Sequence, residues 1–342
     1  MKALFVKTPG DDPELDLRDV EIPVPGHGEA LVKVSSAGVC SHDVAIMRGL
    51  LRRGVDLDVI LGHEISGIVD AVGSEVEGIA VGDAVVSTLT VFCGECDRCL
   101  SGHEYRCRTG HGLGHGVNGG FAEYIVLPER CLIPLPEGVS VELASIVACP
   151  MGVALQALKD VARVRPGETV LVTGAGGGLG IHALQIAAAL GAQVMGATYS
   201  EDKLTLLERF APGQVILGGE LDFSELVLAF TEDQGADVVI DTVGSAVFYS
   251  ALRSLGQFGR MVLLGEVEGG RASFNLTEVI FRDAAILGSS GASKAHIAQV
   301  LDLILDGKLE PVISHRVPLS DAKDAYHLVR DRESIGRVVL VP

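Results

Sequence analysis

Residues 169–180 read Thr169-Val170-Leu171-Val172-Thr173-Gly174-Ala175-Gly176-Gly177-Gly178-Leu179-Gly180. A short β-prone run enters a glycine-rich turn. An apolar helical pattern follows from Ile181 to Leu190, and a second β-rich run covers Gln193 to Ala197. Strand, glycine turn, helix and strand within about thirty residues make a dinucleotide-binding βαβ unit. Glycines let the backbone approach a pyrophosphate, and the helix N-terminus supplies amide donors at the positive end of its dipole. A glycine cluster alone is equally a flexible turn; the flanking strand and helix patterns decide for the nucleotide. Gly174, Gly176, Gly177, Gly178 and Leu179 are the candidate phosphate-facing residues. The spacing is A-x-G-x-x-G through Ala175, Gly177 and Gly180 rather than G-x-G-x-x-G.

The end of the second strand selects the cofactor. NAD-specific folds place an acid there for the ribose 2′-hydroxyl. Here Thr198 holds that position, followed by Tyr199-Ser200-Glu201-Asp202-Lys203. Thr198, Ser200 and Lys203 suit a 2′-phosphate, which predicts NADP(H), with NAD(H) the alternative because no arginine is present and Glu201 or Asp202 lies close by. Further strands are expected at Val238–Asp241, Met261–Gly265 and Ala284–Gly288.

Four cysteines, Cys93, Cys96, Cys99 and Cys107, form a C-x2-C-x2-C-x7-C array. Four thiolates this close match one tetrahedral zinc with no open position, a structural site. Disulfides are the alternative, and the tight spacings argue against them. Arg98, Arg106 and Arg108 in the same loop are placed to offset its negative charge, with simple solvation the alternative. A second set is dispersed: Cys40 in Gly38-Val39-Cys40-Ser41-His42-Asp43, His63 in Gly62-His63-Glu64-Ile65-Ser66-Gly67, and Cys149 in Ala148-Cys149-Pro150. Cys, His and Cys are the three protein ligands of one kind of catalytic zinc site, whose fourth position takes water or substrate. Singly, each residue is weak evidence, and a lone Cys149 is more often a small core hydrophobe.

Together these segments resemble the zinc-containing medium-chain alcohol dehydrogenases and reductases. The resemblance runs from MKALFVKTPG to GRVVLVP and rests on GHE-x-x-G, the four-cysteine loop and Gly119-Gly120-Phe121-Ala122-Glu123-Tyr124. It implies an α/β protein: a GroES-like, partly open β-barrel catalytic domain over residues 1–150, a Rossmann doubly wound parallel sheet over 151–288, and a return to the catalytic domain over 289–342. It implies two zinc ions per chain, with Cys40, His63 and Cys149 as catalytic ligands. Glu64 becomes the carboxylate that can approach the metal, and Asp43 the one that orients His63. Ser41, Val153, Val243, Gly244, Leu264 and Gly265 become further cofactor neighbours. The resemblance also implies a homodimer or homotetramer, and an active site where nicotinamide meets zinc in the cleft between the domains.

Composition narrows the partners. A net charge of −18 disfavours nucleic acid and anionic membrane surfaces. No apolar run approaches the ~18 residues of a membrane span. Of 7 cysteines only Cys131 lacks a zinc assignment, so nothing calls for a disulfide, which fits a reducing cytoplasm.

One position departs from the family. A Ser or Thr ordinarily follows the zinc cysteine by two places and passes the alcohol proton onward, often to a histidine three residues later. Here His42 and Ala45 stand at those positions. His42 is expected to replace the relay as an acid or base near neutral pH; a purely steric role is the alternative. The first functional expectation is alcohol–carbonyl interconversion with NADP(H). The second is reduction of a conjugated C=C bond, since TGAGGGLGIHALQ, VMGATYSEDKL and GKLEPVISHRVPLSDAKDAY resemble the acryloyl-CoA reductases. A non-catalytic NADPH-binding protein is the third, and the full Cys40, His63 and Cys149 set argues against it.

Overall fold

A computed structural model describes residues 1–51, 54–211, 214–218 and 222–342. The chain divides into two compact units. The first comprises Met1–Gly152, Gly291–Asp306 and Ile313–Pro342; the second comprises Val153–Ser290 and Gly307–Val312.

The first unit is built on a seven-stranded sheet centred on Glu29–Val39. That strand pairs antiparallel with Glu64–Val72, Tyr124–Pro128 and Arg337–Val341. Its alternation buries Ala30, Val32 and Val34 against Val69, Ile125, Leu127, Val338 and Phe121. Three chain segments meet at one rim of the sheet. Gly38 is in register with Glu64, and Val39 with Val338. Cys40, His63 with Glu64, and Arg337 therefore arrive together from distant parts of the sequence.

The second unit holds a six-stranded parallel sheet. Its spatial order is Val215–Leu217, Gln193–Thr198, Thr169–Thr173, Ala236–Asp241, Leu255–Leu263, Ala285–Gly288. This is the doubly wound order 3-2-1-4-5-6, in which ligands bind beyond the strand C-termini where the order reverses. Val170–Val172 and Val238–Ile240 are fully buried, as expected of parallel strands covered on both faces. The α/β class, with a mainly antiparallel β unit and a doubly wound parallel sheet, is the fold expected.

Local differences from the sequence reading have simple causes. The helix begins at Gly178 because Gly177 stays extended at its N-cap, so Gly178 and Leu179 lie in its first turn. The strand expected at 261–265 runs from Leu255 to Leu263, which leaves Leu264 and Gly265 in the loop beyond it. The return after residue 289 is interrupted. Gly307–Val312 counts with the second unit, where the Glu310 N–H donates to Gln185 Oε1 at 2.7 Å and the Val312 N–H to His182 Nε2 at 3.0 Å.

Candidate metal centres and nucleotide turn

Cys40, His63, Glu64 and Cys149 bring one ligand atom each within 4.8 Å of one another, and all four are buried. Asp43, in the first turn of the helix Ser41–Met47, organises two of them. Its Oδ2 accepts the Cys40 N–H at 2.8 Å, and its Oδ1 accepts His63 Nδ1–H at 3.0 Å. A carboxylate only accepts, so Nδ1 carries the proton and the lone pair of Nε2 is left for a metal. That nitrogen lies 3.8 Å from Glu64 Oε1. Cys149 sits in a wide π-turn, Val147–Gly152, that contains Pro150. The hydrogen bond with Cys149 is the largest effect on Cys40; with help from Arg337 it holds that thiol well below the usual range despite burial. Two sulfurs, one imidazole and one carboxylate oxygen are a donor set that fits zinc.

Arg337 and His115 were missed in the sequence. Arg337 NH2 reaches Glu64 Oε1 at 2.7 Å and Cys149 Sγ at 3.8 Å, and is itself buried. Burial pushes the Glu64 carboxyl up to about 7, against the pull of Arg337. The available signal was a charge opening an otherwise apolar strand, Arg337-Val338-Val339-Leu340-Val341. His115 stands in a glycine-rich turn and touches His42, with ring centroids 4.9 Å apart; His42 in turn meets His63 edge-on at 5.1 Å. The His42 Nδ1 atom is buried and has no hydrogen-bond partner among the described residues. The titration near neutral pH expected of His42 is not what its surroundings favour. Burial, reinforced by His63, pushes it down to about 4, so the ring is neutral at pH 7.

In the four-cysteine loop the Sγ separations recorded are 3.5 Å for Cys96–Cys99 and Cys93–Cys107, and 3.9 Å for Cys93–Cys99 and Cys96–Cys107. A tetrahedron with zinc–sulfur arms of about 2.3 Å has edges of about 3.8 Å, whereas a disulfide needs about 2.05 Å. All four cysteines are free thiols, and the geometry fits a closed metal site. Two of the three loop arginines direct guanidinium hydrogen bonds away from the sulfurs. Arg108 pairs with both oxygens of Asp97, and Arg98 donates to the Arg106 carbonyl. Backbone N–H groups take their place: Cys93 N–H donates to Cys107 Sγ at 3.3 Å, and Cys96 N–H to Cys93 Sγ at 3.4 Å.

In the second unit, the expected cofactor residues gather at the C-terminal ends of the two central strands. Gly174 has φ +62°, and a Cβ there would fall 2.6 Å from Thr242 Oγ1 and 2.8 Å from Val243. A Cβ on Gly180 would fall 2.2 Å from the Gly174 carbonyl, so the helix crosses the strand only without side chains. Asp241 ties the rim together: its Oδ1 accepts Thr173 Oγ1–H at 2.6 Å and the N–H groups of Val243 and Gly244 at 3.0 and 3.1 Å. Leu264 and Gly265 donate to the Asp241 carbonyl. Thr198 is buried and its Oγ1 accepts the Ser200 N–H at 3.2 Å. Glu201 and Asp202 are exposed, while the Lys203 stem lies buried against Gly176. Val153 is buried at the start of Val153–Gln156 in this unit; Ser41 belongs to the first unit and is exposed. No helix among the described residues is long and apolar enough to cross a membrane.

Known proteins share this arrangement. The model of the alcohol dehydrogenase GroES-like domain matches residues 26–137, and that of the zinc-binding dehydrogenases matches residues 178–306. Fold and donor sets thus define an oxidoreductase of the zinc-binding dehydrogenase class. An acryloyl-coenzyme A reductase of Sulfurisphaera tokodaii is 36% identical over 343 residues, covering 100% of both chains. An NAD-dependent alcohol dehydrogenase of Sulfolobus acidocaldarius is 32% identical over 99% of both. A crystal structure of an NAD-dependent alcohol dehydrogenase superposes with TM-score 0.94 at 35% identity, covering 100% of each chain. The chain belongs to the zinc-containing medium-chain dehydrogenases and reductases, the superfamily of the zinc alcohol dehydrogenases.

Proposed function

We propose that this protein reduces a C=C bond conjugated to a carbonyl, in the manner of an enoyl thioester reductase, with NADPH as hydride donor. The observation that carries this reading is His42. It stands where alcohol dehydrogenases keep a relay hydroxyl, and its ring contacts His63 on one edge and His115 on another. The full-length likeness to an acryloyl-coenzyme A reductase supports it. Alcohol–carbonyl interconversion is the second reading, favoured by the close superposition on an alcohol dehydrogenase.

Cys40, His63 and Cys149 hold a zinc ion in this reading, and Cys93, Cys96, Cys99 and Cys107 hold a second. When bound, the first zinc supplies Lewis acidity for a carbonyl oxygen, and NADPH supplies the hydride. Asp43 fixes the His63 tautomer, as a carboxylate behind a ligating histidine does. Hydride addition at the β-carbon sends the C=C electron pair toward the carbonyl, and a proton must then reach the α-carbon. His42, whose ring lies against His63 and His115, is the residue we assign to pass that proton, which solvent supplies. Incubation with NADPH and crotonaldehyde, which carries both bonds, is expected to give butanal. Crotyl alcohol as the main product would replace this reading with the second.

The preference for NADPH rests on the turn after Gln193–Thr198. Its nearest acids, Glu201 and Asp202, are exposed, and Thr198 offers no negative charge. Thr198→Asp is expected to lower kcat/KM for NADPH by about 10- to 100-fold, the effect of losing a hydrogen bond to a charged group. A native enzyme that prefers NADH would show that the Thr198–Lys203 turn has been misread.

A further inference from the structure

One of the two short helical turns in the four-cysteine loop, Glu104–Arg106, stands next to Cys107. This turn meets the start of the helix Lys294–Leu305. Glu104, 8% exposed, accepts the Lys294 N–H at 2.6 Å. Ser293 caps the same helix from within, its Oγ accepting the His296 N–H at 3.3 Å. Glu104 thus serves an amide that Ser293 leaves open, and it sets a carboxylate at the positive end of a 12-residue helix. Beside it, Tyr105 lies against Gly291, where φ is +80° and a Cβ would fall 2.7 Å from the ring.

The helix packs against Val147–Gly152, the turn that carries Cys149. A Cβ on Gly152 would fall 2.9 Å from the Ala292 Cβ and 3.7 Å from Ile297 Cγ1. Ala292, Ile297 and Val300 are buried. The Cys149 turn is weak by itself: it is wide, and Pro150 within it has no N–H to donate. Its position is therefore set by what it packs against.

We infer that Glu104 is a positioning residue that links the two cysteine sites: through the N-terminus of Lys294–Leu305 it lets the four-cysteine loop fix the placement of Cys149. The inference rests on Cys40, His63 and Cys149 holding zinc. The loop is then more than a local fold staple, because its integrity determines how tightly a ligand of the other site is held.

The test is timed zinc release from the full-length, zinc-loaded protein to a chromogenic chelator, with thermal melting alongside. Wild-type protein is expected to release two zinc ions in separate phases, the open site first. Glu104→Ala is expected to speed that first phase about fivefold, the effect of losing one helix-capping interaction, and to leave the second phase unchanged. Glu104→Gln keeps an acceptor of the same shape and is expected to restore most of the slow release. Unchanged phases in Glu104→Ala would overturn the inference, as would equal acceleration of both with a lowered melting temperature, the sign of a merely structural residue. A wild-type protein with a single zinc would overturn the assignment of the Cys149 site and this inference with it.

Discussion

Arg337→Met is expected to lower the free energy of unfolding by about 3–5 kcal/mol, the cost of removing one partner of a buried ion pair. The two side chains are almost wholly enclosed, at 6% and 0% exposure. Burial already pushes Glu64 up to about 7 while Arg337 pulls it down. Without the guanidinium Glu64 takes up a proton, and its Oε1 is left with no partner in a closed space. Its other oxygen and Arg337 Nε have no hydrogen-bond partner among the described residues, so little else can absorb the loss. The midpoint of urea unfolding reads the effect directly. Glu64→Gln in the Arg337→Met background is expected to recover part of it, and the double-mutant cycle isolates the pair. A shift below about 1 kcal/mol would mean that the pair behaves like an exposed salt bridge.

The second large effect concerns rate. His42→Ala is expected to lower kcat by ~10²–10⁴, the usual cost of losing a positioned acid–base group. Zinc content and NADPH affinity should stay as they are, because His42 is neither in the Cys40–His63–Cys149 donor set nor in the nucleotide turn. Three residues near it in sequence cannot take its place. Cys40 belongs to the donor set, Asp43 is engaged by His63 and by the Cys40 N–H, and Ala45 carries no polar group. His42→Ser separates the two functional readings: activity returns in part if the chemistry is at a carbonyl and stays low if it is conjugate reduction. Near-normal kcat in His42→Ala would leave the ring with a steric role only.

How much of this was legible in the sequence follows from distance along the chain. The four-cysteine loop declares itself because all four sulfurs lie within residues 93–107, at spacings that suit one tetrahedral metal ion. The nucleotide turn is equally local, a strand and helix on either side of Gly174–Gly180. Arg337 and His115 were invisible for the opposite reason. Arg337 meets Glu64 only through the register of two strands on a shared partner. His115 reaches His42 only once its turn is folded beneath the sheet rim. The role of the loop arginines could not be chosen from sequence, because Asp97 and a backbone carbonyl compete with the sulfurs for Arg108 and Arg98. The interruption at Gly307–Val312 gives no local sign, since it is made by Gln185 and His182 far upstream.

The long separation of Cys40, Glu64 and Arg337 also orders events in time. The ribosome makes the four-cysteine loop as one short piece, so its four sulfurs are available together early in synthesis. The surroundings of the other site are incomplete until the strand Arg337–Val341 has paired with Glu29–Val39 and brought Arg337 to Glu64. Until then the Glu64 carboxylate lacks its cation. The four-cysteine site is thus complete in one stretch of chain, whereas the setting of the buried site is finished only by the last strand.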